Sequence, residues 1–146
     1  DHRRQRQMCI RDSIDLAKEN TKDNPVYYVQ YAYARCHNLM KKSKSDSYTS
    51  ACNNLDLLNL EQELSILDKL DQFPDIIKSV SLKFTPHLLV DYLRSLSKLF
   101  HNYYASVQII SQDMDLSNIR LSLVYAVSLT IKNGLNLLGI SSPENM

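Results

Sequence analysis

Glycine is nearly missing from this chain, with two in 146 residues, and there are only four prolines. Tight β-hairpins depend on Gly, Asn-Gly or Asp-Gly turns, so a strand-rich fold has little material to turn with. Tryptophan is absent, and no apolar run approaches the roughly 18–20 residues that cross a bilayer. No signal-peptide apolar region is present either. The three cysteines, Cys9, Cys36 and Cys52, are odd in number and widely spaced, with no C-x-x-C pair. They read as free thiols in a reducing compartment, which excludes a disulfide framework, disfavours zinc and points to the cytoplasm.

A strongly basic balance is missing too. Net charge is +1, and Arg3, Arg4, Arg6 and Arg11 against Asp1 and Asp12 give residues 1–13 a local excess of +2. The remainder holds 13 basic and 14 acidic side chains, a net of −1. Whole-domain charge therefore argues against generic nucleic-acid binding, and any RNA affinity must come from a local surface. Catalytic signatures are also lacking: there is no Gly-rich phosphate loop, nucleophile elbow or His-Glu-x-x-His. His87 and His101 are 14 residues apart on one expected helix, about 21 Å of rise, too far to share a metal. Both read as packing or surface histidines. Carboxylates are scattered without an acid–base pair. No catalytic residue and no metal ligand is expected.

What is there is helical spacing, in a chain long enough for one domain with a real core. Residues 1–13 lack apolar periodicity and read as a non-native leader or as a basic arm that grips phosphates. A short helix or turn is expected over 14–22, then a long helix over 25–42 ending in a polar linker, Lys41-Lys42-Ser43-Lys44-Ser45-Asp46-Ser47. Asn59 with Gln62 suggests a capping box, followed by Leu60, Leu64, Leu67 and Leu70 to about residue 72. Phe73-Pro74 stops that helix and opens a short one with Ile76, Ile77 and Val80 inward. Thr85-Pro86 opens the best-defined helix, with Leu89, Tyr92 or Leu93, Leu96, Leu99 or Phe100, Tyr103, Val107 and Ile110 on its stripe. Ser117 is the expected cap of a last helix carrying Ile119, Leu123, Val124, Val127, Ile131, Leu135 and Leu138. Gly134 lies inside it, either as a weak point or to permit a close contact, and Gly139 ends it. Residues 141–146 are an extended tail, loose unless something docks it. The expected architecture is an all-α bundle of four to five helices over residues 14–146.

One stretch stands out, Asn24-Pro25-Val26-Tyr27-Tyr28-Val29-Gln30-Tyr31-Ala32-Tyr33-Ala34-Arg35, with four tyrosines within seven residues. Asn can cap a helix and Pro fits its first turn. Tyr28, Tyr31 and Arg35 then share a face at i, i+3 and i+7, while Val26, Val29, Tyr33, Cys36 and Met40 form the stripe to bury. Flat rings beside a fixed positive charge suit stacking on unpaired bases. The same rings would also serve as ordinary core aromatics with wet hydroxyls.

This stretch resembles the end of the catalytic region of class I arginyl-tRNA synthetases as it enters their α-helical, DALR-type anticodon-binding domain. The family pattern is close to Asn-Pro-Val-Tyr-Tyr-Val-Gln-Tyr-Ala-His-Ala-Arg, and Tyr33 stands where His is usual. Further matches follow in order. Leu67-Asp68-Lys69-Leu70 leads to Phe73-Pro74; Pro86-His87-Leu88 leads through Tyr92-Leu93 to Phe100-His101 and Tyr103-Tyr104. Asn133-Gly134-Leu135, Leu137-Leu138-Gly139-Ile140, Pro143-Glu144 and Met146 resemble the family's C-terminus. The Lys41-to-Ser45 run only mimics the family's Lys-Met-Ser-Lys-Ser loop: its second residue is Lys, and it follows the Tyr-rich helix, whereas the family's loop precedes it.

The resemblance implies a fragment truncated at its N-terminus and catalytically inactive by itself, whose parent attaches arginine to its tRNA. ATP with Mg would be used in the missing catalytic domain, and this fragment would carry no cofactor. Its partners would be arginine tRNA and that catalytic domain, with no membrane, and the protein is expected to be a monomer. Carried over by position, Tyr28 and Tyr31 would stack on anticodon bases and Arg35 would contact a base edge or phosphate. Tyr104 would add a ring, and Met146 would approach the anticodon loop. The alternative is a free-standing helical protein-interaction module whose exposed rings receive a partner, which requires a contiguous apolar patch.

Overall fold

The computed structural model describes residues 23–43 and 52–146. The leader 1–13, the helix or turn expected over 14–22, and residues 44–51 of the linker region lie outside them. Three of the four prolines sit in the first turn of a helix, where the missing amide proton costs nothing. The first helix, α1 (Pro25–Lys42), opens on Asn24, whose Oδ1 accepts from the amides of Val26 at 3.0 Å and Tyr27 at 3.5 Å. Lys41 and Lys42 close it, placing positive charge on the last carbonyls. Val29, Ala32, Tyr33, Cys36 and Leu39 are its buried stripe. The Cys36 thiol is wholly enclosed, and burial pushes its pKa up, so it stays a thiol.

A short 3₁₀ segment (Cys52–Leu57), kinked at Asn54, leads to buried Leu58. Helix α2 (Glu61–Asp71) starts one residue later than the Asn59–Gln62 pattern implies. Leu60 holds the cap position and Glu63, not Gln62, reaches back: its Oε2 accepts from the Leu60 amide at 3.1 Å. The inward face shifts accordingly. Glu63 and Ile66 are buried, Leu67 and Leu70 pack partly on the core, and Leu64 is half exposed.

Helix α3 (Phe73–Lys83) leans Ile76, Ile77 and Val80 on the core without fully burying any residue. It ends at Phe84, left-handed at φ 52°. Thr85 does hold the cap position of α4 (Pro86–Ser106), but its hydroxyl makes no cap bond. Helix α4 buries Leu89, Tyr92, Leu93, Leu96, Phe100 and Tyr103. It stops at Ser106, short of the expected stripe's end, so Ile109 turns inward and Ile110 faces out.

Asp113, rather than Ser117, caps α5 (Met114–Leu137), its Oδ1 accepting from the amides of Asp115 and Leu116 at 3.1 and 3.2 Å. Ser117 lies buried in the first turn, where its hydroxyl accepts from the Ser111 amide at 2.8 Å. At the far end the Ile140 amide donates to the Leu135 carbonyl and that of Gly139 to Asn136, with Gly139 at φ 70°. This is the double closure that a left-handed residue after a helix permits.

Five α-helices and no strand are found among the described residues, so the all-α expectation stands. Helix α1 packs on α5 and α4, α2 on α4 and α5, and α3 on α4. Gly134 of α5 lies directly against the Leu93 side chain of α4, which leaves no room for a Cβ. One polar knot joins three helices: wholly buried Glu63 accepts through Oε1 from Arg120 Nε at 2.7 Å and from the Tyr103 hydroxyl at 2.9 Å. Arg120 also donates to the Gln108 carbonyl at 3.1 Å. Together these contacts fix how α4 is turned, and with it the ring of Tyr104 one position on.

Candidate nucleic-acid interface

Burial of Val29, Tyr33 and Cys36 turns the opposite side of α1 toward solvent, leaving Tyr27, Tyr28, Tyr31 and Arg35 half-buried. Tyr33, the departure from the arginyl-tRNA synthetase pattern, belongs to the core and not to this face. Across from the tyrosines, α4 presents His101 and Tyr104, one turn apart.

The centre is Arg35. Its guanidinium carbon lies 4.6 Å from the Tyr31 ring centroid and 4.5 Å from that of Tyr104. Its Nη2 donates to the Tyr31 hydroxyl at 2.6 Å, and its Nη1 stands 3.3 Å from His101 Nδ1. Rings and cation hold one another, so the flat surfaces are set before any ligand arrives. Two of the five N–H groups of Arg35 thus have protein partners.

Tyr31, Arg35, Tyr104 and Met146 line one groove of about 430 Å³, with Ala34, Asn38, Lys41 and Lys42. Tyr28 is not in it. It lies in an adjoining groove of about 290 Å³ with Arg94, Ser95 and Lys98. His101 stands between the two, its ring centroid 4.8 Å from Tyr28 and 5.6 Å from Tyr31. Burial raises the pKa of the Tyr28 hydroxyl while nearby Arg94 opposes the shift, so this tyrosine is neutral at ordinary pH. Tyr27 extends the row, stacked on Tyr31 with the ring planes 7° apart.

Sequence reasoning left His101 as a packing or surface residue and missed the lysines and Arg94 as parts of the surface. A signal was available: Arg94, Lys98 and His101 recur at i, i+4 and i+7 on α4, and Tyr31, Arg35, Asn38 and Lys42 continue one face of α1. These exposed cations give the local basic surface that the net charge conceals. The tail is docked as well: Gln30 Nε2 donates to the Ser141 carbonyl at 2.8 Å, and His37 Nε2 meets Glu144 Oε2 at 3.0 Å. Among the described residues, no group of three or more His, Cys, Asp or Glu could hold a metal ion. No helix among them is long and apolar enough to cross a membrane.

The family model described as the DALR anticodon binding domain matches residues 29–146. This chain belongs to that family. An arginine–tRNA ligase of Coxiella burnetii is 39% identical over 137 residues, covering 91% of this chain and 23% of the relative. That of Geotalea daltonii is 42% identical over 136 residues, covering 91% and 24%. The solved arginyl-tRNA synthetase of Thermus thermophilus superposes with a TM-score of 0.72 at 30% identity, over 89% of this chain and 22% of that one. This DALR domain thus spans about a quarter of the length of the curated relatives it matches.

Proposed function

We propose that this chain is the anticodon-binding portion of an arginine–tRNA ligase and recognises arginine tRNA through the surface centred on Arg35. The observation that carries this reading is the guanidinium held between two tyrosine rings, open to a groove that ends in Lys41 and Lys42. Stacking platforms flanked by cations are what an unpaired loop requires, with rings for bases and ammonium groups for phosphates. Tyr31 and Tyr104 offer faces to splayed anticodon bases, Tyr28 takes a neighbouring base in the adjoining groove, and Arg35 donates to a base edge or phosphate. Met146 closes the groove on its tail side.

Arginine activation, with ATP and Mg, belongs on this reading to a catalytic domain elsewhere in the parent protein, which is a second partner of this surface's scaffold. The parent is a cytoplasmic monomer. A protein-interaction module fits less well, because cations stand beside the rings in both grooves: Arg35, Lys41 and Lys42 in one, Arg94 and Lys98 in the other.

The test is binding of the chain to an arginine tRNA transcript and to one with its central anticodon base changed, at fixed salt. The cognate transcript should bind tighter, and Tyr31→Ala or Arg35→Ala should abolish the difference. A stacked base contributes about 1–3 kcal/mol, roughly 5- to 150-fold in Kd. Equal affinity of the wild-type chain for both transcripts would refute anticodon reading by this piece.

A further inference from the structure

The tail 141–146 contributes Met146 to the groove, yet almost nothing in the core fixes where it lies. Beyond Ile140, which packs on the core, two side chains of α1 hold it. Gln30 Nε2 donates to the Ser141 carbonyl at 2.8 Å and lies 3.3 Å from its hydroxyl. Two turns on, His37 Nε2 meets Glu144 Oε2 at 3.0 Å, the histidine 22% exposed and the glutamate 55%. These residues occupy neither ring-lined groove. They stand on a third face of α1, where the tail crosses between the Met146 groove and a separate one of about 480 Å³.

We propose that Gln30, His37 and Glu144 form a strap that positions Met146 against Tyr31, Arg35 and Tyr104. The inference rests on the anticodon reading for its consequence, but the strap itself does not. The 3.0 Å approach of His37 Nε2 to Glu144 Oε2 is a close ionic contact without hydrogen-bond alignment, so the directional hold on the tail is the Gln30–Ser141 bond and the His37–Glu144 contact adds to it. The groups facing His37 from each side are Tyr33 and Lys41 on α1, Tyr125 and Lys132 on α5, and Glu144 on the tail. Glu144 is the one anionic group among them and the tail's own contact with His37, so its removal should loosen the tail. Gln30 and His37 are positioning residues: they act on a bound base only through Met146.

The test labels the methionine methyls of the whole chain with carbon-13 and follows the Met146 resonance, assigned with Met146→Leu. In the wild type it should stand away from its random-coil position. In His37→Ala, and in Glu144→Gln on the exposed tail where folding is not at stake, it should fall toward random coil. Discrimination between cognate and base-changed anticodon stem–loops should fall about two- to fivefold in both variants, the range a partly exposed pair supports. A Met146 resonance unmoved by both substitutions would overturn the strap. Should it respond as expected while the wild-type chain fails to distinguish the stem–loops, the strap stands and the anticodon reading falls.

Discussion

Arg120 Nε lies 2.7 Å from Glu63 Oε1, and that carboxylate has no exposed surface at all. A wholly buried charge is tolerable only with its partners in place, because desolvation costs several kcal/mol per ion. Arg120→Met should therefore destabilise the chain by about 3–5 kcal/mol, while adding Glu63→Gln, which removes the buried charge and keeps an acceptor for Tyr103, should recover part of that loss. Urea midpoints of the three proteins check this; a single-variant loss under about 1 kcal/mol would show that water reaches Glu63.

Where α5 crosses α4, a Cβ on Gly134 would stand 2.6 Å from Leu93 Cδ2 and 2.9 Å from Cδ1. Alanine would gain about 1 kcal/mol of helix propensity at this position. Overpacking against fully buried Leu93 costs about 1–3 kcal/mol, so Gly134→Ala should be neutral to destabilising by about 2 kcal/mol. In a thermal-unfolding double-mutant cycle, Gly134→Ala should be stabilising in a Leu93→Ala background, where the overlap is gone.

Arg35→Lys keeps the charge and loses the plane. An ammonium cannot fill the slot between Tyr31 and Tyr104 or hold the Tyr31 hydroxyl and His101 together. The expected result is a loss of stem–loop affinity of about 1–2 kcal/mol, close to that of Arg35→Ala, with an unchanged salt slope. Filter binding across salt concentrations separates the two effects.

Lys41→Ala and Lys42→Ala should differ from Arg35→Lys by changing the salt slope. Each should lower affinity alike for cognate and base-changed loops and reduce the salt slope by about 0.7, the signature of a phosphate contact to a single strand. A change in base discrimination instead would put these lysines on base edges.

Stability should fall at alkaline pH. Burial pushes the Tyr92 hydroxyl up to about 12, and burial with the bond to Glu63 raises Tyr103 further. Both hydroxyls keep their protons in the folded chain where the unfolded chain releases them, above about pH 10. The folded state then binds more protons, so unfolding free energy declines as pH rises from about 10, by up to about 1.4 kcal/mol per pH unit for each group. Below pH 10 neither contributes a slope. Tyr103→Phe should remove one group's share of the decline between pH 10 and 12, measured by urea titration at each pH.

The helices were legible because their signals are local. Asn24-Pro25 caps α1 and Gly139 ends α5 where the residues say they should. The misplacements have a common cause, competition for the same short stretch. Asn59 is a better cap by type than Leu60, yet burying Glu63 against Arg120 draws the start of α2 along by one residue. Asp113 likewise takes the cap from Ser117, which is occupied with Ser111. Such choices depend on partners 57 residues away in the first case, which no window along the chain contains. The rings and Arg35 of the candidate site were readable from the spacing of α1. Their closure by His101 was not, because it depends on how α4 lies across α1, and Tyr28's separate groove follows from the same crossing.

Gly139 gives this arrangement a further property. Its left-handed turn ends the last helix and redirects the chain, so the tail leaves the bundle from one backbone joint. Beyond that joint, only Ile140 packs on the hydrophobic core. Substitutions in 141–146 can therefore reshape the groove wall at little expense to folding, whereas the same change among the rings of α1 must satisfy the packing of two helices. The domain separates the part of its surface that can drift from the part that cannot, and the boundary is a single glycine.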